Sequence, residues 1–251
     1  LSQPRRHEPL RAERAFGRRR PVGPAWTTSA SEPICPCANA SLCQPITRVG
    51  GEKVYAFHIT GDDWRQYDWA QITTVAVFGS TGDTAGTDVV DPELLCHAHA
   101  HGARVTLGTG GPPQAQWHNA TAVDSWVSAA VGNAKATFTD GLNIDIEEDC
   151  TSKSDASALT ALVRKASSAM HGLNPASHVS FDVPSGGLGI SPTYEPHACG
   201  KMDMREYDFK ALAEALDFLL VMDCKHAAVS SRCIVHCRFT VCRVAPRCIV
   251  R

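Results

Sequence analysis

Asp140-Gly141-Leu142-Asn143-Ile144-Asp145-Ile146-Glu147 is the run of residues on which the fold and the chemistry of this chain turn. Successive side chains of a strand point to opposite faces, so Leu142, Ile144 and Ile146 share one face while Asn143, Asp145 and Glu147 share the other. One face is ready to pack and the other carries an amide and two carboxyls. Burying such groups costs several kcal/mol unless they are hydrogen-bonded, and function is the usual reason for that cost. An exposed edge strand would carry the same alternation with no function attached. Two carboxyls one residue apart on the same face compete to ionise, so Glu147 is expected to stay protonated near working pH beside an ionised Asp145. A protonated Glu beside an ionised Asp suits glycosidic bond cleavage.

Outward from this run, residues 53 to 223 alternate short β-rich apolar stretches with longer helix-compatible segments, the rhythm of βα units and a parallel sheet. Strands are predicted at Val54–Thr60, Thr73–Phe78, Ala103–Gly108, Gly141–Glu147, His178–Val183 and Asp217–Asp223. Helices are predicted at Pro92–His101 behind Asp91, at Val123–Ala136, at Ser154–Met170 with Leu159, Leu162, Val163 and Ala166 on one face, and at Tyr207–Ala215. The fold class is α/β, and in a barrel of such units Glu147 falls at the carboxyl end of its strand, where catalytic groups sit. His58 and Asp182 also fall near strand ends, where a lone His or Asp is more often a hydrogen-bonded core residue. Gly108-Thr109-Gly110-Gly111 is read as a chain turn without a catalytic role.

The remaining features bound the class of protein. With 251 residues, 43% hydrophobic and 20% charged side chains and a formal net charge of −2, the chain is expected to be one soluble globular domain with no nucleic-acid partner. It holds no apolar run of membrane-span length, so no membrane partner is expected. Seven arginines fall in the first 20 residues among prolines and glycines, and 1–34 is expected to be a disordered basic extension. The chain starts at Leu1 with no signal-peptide pattern ahead of the first cysteines, so the true start is expected to lie elsewhere. Eleven cysteines, with Cys35, Cys37 and Cys43 clustered, and the acceptor sequons Asn39-Ala40-Ser41 and Asn119-Ala120-Thr121 favour an oxidising compartment. Residues 224–251 hold five of those cysteines, repeat Arg-Cys-Ile-Val at 232–235 and 247–250, and show neither helical nor hairpin punctuation. That tail finds no place in the fold, and its spacings, even with His226 or His236, fit no paired metal-binding arrangement.

The run Asp140 to Glu147 resembles the DxxDxDxE signature of family 18 glycoside hydrolases, with Asn143 in place of the second Asp. Further likeness to the di-N-acetylchitobiase branch lies in Cys35-Pro36-Cys37, Leu42-Cys43-Gln44-Pro45-Ile46, Tyr67 to Ala76, Asp155 to Val163, Phe181-Asp182-Val183 and Asp217 to Met222. The resemblance covers roughly residues 35 to 223 and implies a (β/α)8 TIM-barrel fold, here with about six βα units. It implies retaining hydrolysis of N-acetylglucosamine β-1,4 linkages in the lysosome by substrate-assisted catalysis, in which the substrate's own N-acetyl oxygen is the nucleophile. On that basis Glu147 is the proton donor and Asp145 orients the acetamide and stabilises the intermediate. Asp140 and Asn143 support Asp145 by hydrogen bonding. The implied partner is an N-acetylglucosamine oligosaccharide, with no cofactor and no metal, and the protein is expected to be a monomer.

The likeness ends at Met222, where the family continues with a serine, a tyrosine and an aspartate and this chain has Asp223, Cys224 and Lys225. The tyrosine that grips the acetamide and the last two strands of the family's barrel are missing. Six strands without closure are expected to leave unpaired backbone at the sheet edge, and the chain reads as truncated. A catalytically inactive truncated fragment and a sugar-binding protein without turnover are the alternative readings, and retention of Glu147 argues against the second.

Overall fold

The computed structural model describes residues 32–47, 54–59, 61–79, 90–150, 152–184 and 207–222 in full, and the backbone of 223–229 and 232–243. Most of the expected basic extension at 1–34 therefore lies outside the described residues, as do the side chains of the cysteine-rich tail. Six parallel strands are hydrogen-bonded in chain order: β1 Tyr55–His58, β2 Thr74–Val77, β3 Arg104–Thr109, β4 Gly141–Ile144, β5 His178–Pro184 and β6 Phe218–Val229. Strand order that follows chain order, with a helix on each crossover, is the topology of a βα barrel. The crossovers from β2 to β6 are α1 Pro92–Ala100, α2 Ala120–Ala136, α3 Lys153–Leu173 and α4 Phe209–Ala215.

Each helix starts at a side chain that the sequence makes a good cap. Asp91 accepts from the Glu93 N–H with Pro92 at the first helical position, Asn119 accepts from Thr121 and Ala122, Ser152 accepts from Asp155, and Asp208 accepts from Ala211. The buried faces follow the helical period. Val123, Val127, Ala130 and Ala134 of α2, and Leu159, Leu162, Val163, Ala166 and Met170 of α3, pack against Leu142, Ile144, Val179 and Phe181 in one core. Each fully buried large aliphatic side chain there contributes about 1.5–3 kcal/mol relative to exposure.

Two differences from the sequence expectation bear on the site and on the sheet edge. β4 ends at Ile144 rather than Glu147, because its last ladder bond runs from the Asp145 N–H to the Thr109 carbonyl at 2.9 Å and β3 stops at Thr109. Much of the tail is placed after all: β6 continues to Val229, and β7, Arg232–Arg243, pairs antiparallel with it over their full lengths. Ile234, Val235, Phe239, Thr240 and Val241 give β7 the branched and aromatic content that strands favour. The edge of β6 is thus covered by the chain's own tail.

Two disulfides hold the segment before β1. Cys35 pairs with Cys43 and Cys37 with Cys96 of α1, at Cα separations of 5.8 and 5.5 Å. The close grouping of Cys35, Cys37 and Cys43 sulfurs is therefore disulfide chemistry rather than a metal centre. Inside the sheet, Gly108 is required by packing, since a Cβ there would lie 2.5 Å from the Phe78 ring, which stacks on Phe57 at 6.0 Å.

Candidate active site

The inward face of the sheet carries a connected polar layer. The Tyr55 hydroxyl of β1 lies 2.8 Å from the Thr106 hydroxyl of β3 and 3.0 Å from that of Ser180 in β5. The Asn143 amide of β4 donates to the Ser180 hydroxyl at 3.0 Å and to an Asp182 carboxylate oxygen at 2.9 Å. Thr106, Asn143, Ser180 and Asp182 are buried, and burial pushes the Tyr55 phenol well up, with Asp182 adding to the rise. Linked side chains of this kind fix one geometry, because a broken link strands a further polar group in low dielectric, as the buried Asn143 Oδ1 already is, with no hydrogen-bond partner among the described residues.

The sequence-predicted acids rise out of this layer towards the carboxyl end of β4. Asn143 is fully buried, Asp145 is half-buried and Glu147, three residues past the strand, is exposed. Register pairs Asn143 with Ser180 and Ile144 with Phe181, so the next positions, Asp145 and Asp182, stand opposite each other. Asp182 is 2% exposed. Burial, then the charge of Asp145, and more weakly that of Glu147, push its carboxyl well above the usual carboxylate range, while the Asn143 hydrogen bond opposes them. The segment carrying Glu147 is pinned from behind: the buried Tyr207 hydroxyl lies 2.7 Å from the Ile146 carbonyl and 3.0 Å from that of Glu148. Tyr207→Phe leaves these carbonyls without their donor and is expected to cost about 1–3 kcal/mol. Urea unfolding checks it, and an unchanged midpoint would remove Tyr207 from the support of Glu147.

Asp140 is not part of this group, and the support of Asp145 expected of it is corrected. It lies five residues from Asp145, roughly 16 Å along an extended strand, and the odd spacing turns it to the helix-facing side. There one oxygen accepts the Ile46 N–H at 2.7 Å, and the other accepts the Val105 N–H at 2.8 Å and His99 Nε2 at 2.9 Å. His99 Nδ1 lies 2.5 Å from the Leu42 carbonyl. Both its ring nitrogens face acceptors, so both carry protons. Burial lowers the His99 pKa, but the Asp140 carboxylate and the Leu42 carbonyl outweigh it and the net shift is upward. Asn143 also differs from expectation in its partners, since both amide hydrogens go to β5.

Asp182, Tyr207 and Tyr55 are the site residues that the run Asp140 to Glu147 does not disclose. The signal for Asp182 lay in β5 itself, where Val179, Phe181 and Val183 alternate with Ser180 and Asp182 as the apolar and polar residues of β4 do. His58 is a bonded core residue, its Nδ1 3.1 Å from the Tyr67 hydroxyl, and burial lowers its pKa. A cleft of about 430 Å³ beside α1, lined by Trp64, Arg65, Glu93 and His97 among others, includes none of the acids of β4 and β5.

With this geometry in hand, comparison with known proteins is informative. No family model matches the chain. It is 40% identical over 203 residues to di-N-acetylchitobiase of Rattus norvegicus, covering 80% of this chain and 49% of that protein. To the Homo sapiens di-N-acetylchitobiase it is 35% identical over 202 residues, covering 80% and 47%. To that of Bos taurus it is 42% identical over 138 residues, covering 55% of this chain and 73% of that sequence. The chain thus spans about half the length of the rat and human relatives. Among solved structures, a chitinase from Bacteroides thetaiotaomicron superposes with a TM-score of 0.52 at 14% identity, covering 73% of this chain and 57% of that one. The spore cortex-lytic enzyme SleL of Bacillus megaterium gives 0.51 at 12% identity, covering 73% and 44%. At such identities these two establish the shared barrel architecture alone. The relatives at 35–42% identity establish more: this chain belongs to the di-N-acetylchitobiase family.

Proposed function

We propose that the chain is a retaining glycoside hydrolase that cleaves N-acetylglucosamine β-1,4 linkages, as in the chitobiose cores of N-linked oligosaccharides, by substrate-assisted catalysis. The observation that carries this is the graded placement of Asp145 and Glu147 at the carboxyl end of β4, above a connected polar layer. The names of the relatives support the substrate class.

Exposed at the mouth, Glu147 gives its proton to the leaving glycosidic oxygen. The substrate's acetamide oxygen attacks the anomeric carbon as that bond breaks, and Asp145 holds the acetamide and balances the positive charge of the cyclic intermediate. Glu147, now a carboxylate, takes a proton from water as the water opens the ring, and the starting state returns. No cofactor or metal enters these steps. Both sequon asparagines are exposed, and with the two disulfides they support a secretory route; we take that route to end in the lysosome and the protein to act as a monomer.

The test is release of N-acetylglucosamine from N,N′-diacetylchitobiose at acidic pH, followed by proton NMR. The β-anomer is expected first, and an N-trifluoroacetyl substrate, whose carbonyl oxygen is a poorer nucleophile, is expected to react more slowly. An α-anomer first, or equal rates, would sink the mechanism. Sugar binding without any release would favour a lectin instead.

A further inference from the structure

β5 repeats, one strand over, the division of faces seen in β4. Val179, Phe181 and Val183 are fully buried in the helix-facing core, while Ser180 and Asp182 turn to Asn143. Asp182 therefore stands inside the sheet, opposite Asp145 on a strand about 5 Å away. One of its oxygens accepts the Asn143 amide at 2.9 Å. Among the described residues no Lys, Arg or His forms an ion pair with it. An uncharged amide offsets little of the cost of a buried carboxylate, and two facing carboxyls in such a place do not both ionise. The upward push on Asp182 from burial and from Asp145 agrees with that geometry.

We propose that Asp182 and Asp145 hold one proton between them across β5 and β4, with Asp182 the positioning residue that keeps Asp145 an oriented, singly charged anion facing the acetamide. This rests on the hydrolase reading above. In the resting pair the proton sits on Asp182 and the charge on Asp145. As the positive intermediate forms and decays the pair keeps one proton and one negative charge, so no proton enters or leaves it. The Asn143 amide holds Asp182 in place, and Ser180, itself bonded to Tyr55, holds Asn143.

The test uses the whole chain labelled with carboxyl-¹³C aspartate, with Asp182→Ala and Asp182→Asn for assignment and comparison. In the unmodified chain the Asp182 carbon is expected to keep the shift of a neutral acid through the range where exposed carboxyls ionise, and to move as Asp145 titrates. Asp182→Ala removes the donor to Asp145 and is expected to lower kcat by about 10- to 100-fold, the loss of one hydrogen bond to a charged group. It should change KM little and move the acid limb of the pH profile towards neutrality. Asp182→Asn restores a donor that cannot titrate, and should bring that limb part of the way back. A purely structural role would reduce the folded fraction and leave the limb where it was.

An Asp182 carboxyl that ionises with the exposed ones, or an acid limb unmoved in both folded variants, overturns the proton pair. If Asp182→Ala does not fold, Asp182→Asn and the labelled unmodified chain decide alone. Coupled titration in a chain that hydrolyses no N-acetylglucosamine substrate would uphold the pair and reject the hydrolase; hydrolysis with independent titration would do the reverse.

Discussion

Glu147→Gln is expected to bind N,N′-diacetylchitobiose as the unmodified chain does and to hydrolyse it about 10²- to 10⁴-fold more slowly, the usual worth of a positioned general acid. Glutamine matches glutamate in shape and can hydrogen-bond the glycosidic oxygen, but it has no proton to transfer to the leaving group. The loss should appear in kcat, since it removes an interaction made only as the bond breaks. Its position sharpens the comparison, because Glu147 is exposed. Glu148, the next residue, is exposed too, and Glu148→Gln is the control for a general effect of charge at the mouth. Steady-state hydrolysis with calorimetric binding checks both. A Glu147→Gln chain that turns over within a few-fold of the original would place the acid elsewhere.

Asp140→Asn is expected to destabilise the fold by about 3–5 kcal/mol, the cost of leaving a buried partner charge uncompensated. Three donors converge on the two Asp140 oxygens, from Ile46, Val105 and His99. An asparagine offers only one oxygen, and its amide would face at least one donor with a donor. The pH dependence carries a further signature. The His99 pKa is raised in the folded state, so its contribution is fully present below its unfolded value of about 6.5 and is lost as pH rises through the folded value. The unmodified chain should therefore lose this part of its stability on going from acid to alkaline buffer, and Asp140→Asn should not. Urea unfolding at several pH values measures it. Full stability with reduced hydrolysis would restore Asp140 to the support of Asp145.

The sequence made the parallel βα order visible because each strand is a short apolar run bounded by turn residues, and each helix opens at a capping Asp, Asn or Ser. Asp145 and Glu147 could be singled out for a similar reason: carboxyls opposite Ile144 and Ile146 have no packing purpose. Asp140 misled because a motif is linear and a strand has two sides, so the same string that pointed to the site also contained a residue facing away from it. Asp182 reads from sequence as a bonded core residue because one acid in a strand is ordinary. Its meaning comes from register with β4, which no local pattern contains. Tyr207 touches the backbone of Ile146 and Glu148, so its role depends on a contact about sixty residues back along the chain. The tail resisted placement because the two residues between β6 and β7, Ser230 and Ser231, lack the Asn-Gly or Asp-Gly signature of a hairpin.

The Cys37–Cys96 bridge has a practical consequence for anyone producing the protein. It fastens the segment before β1 to α1, and that segment supplies the Leu42 carbonyl to His99 and the Ile46 N–H to Asp140. A host with a reducing interior would leave those two contacts without their anchor, so material made there should be less soluble and shorter-lived at assay temperature even with every site residue intact. Oxidative refolding or export ahead of purification belongs at the start of any attempt to measure what Glu147 does.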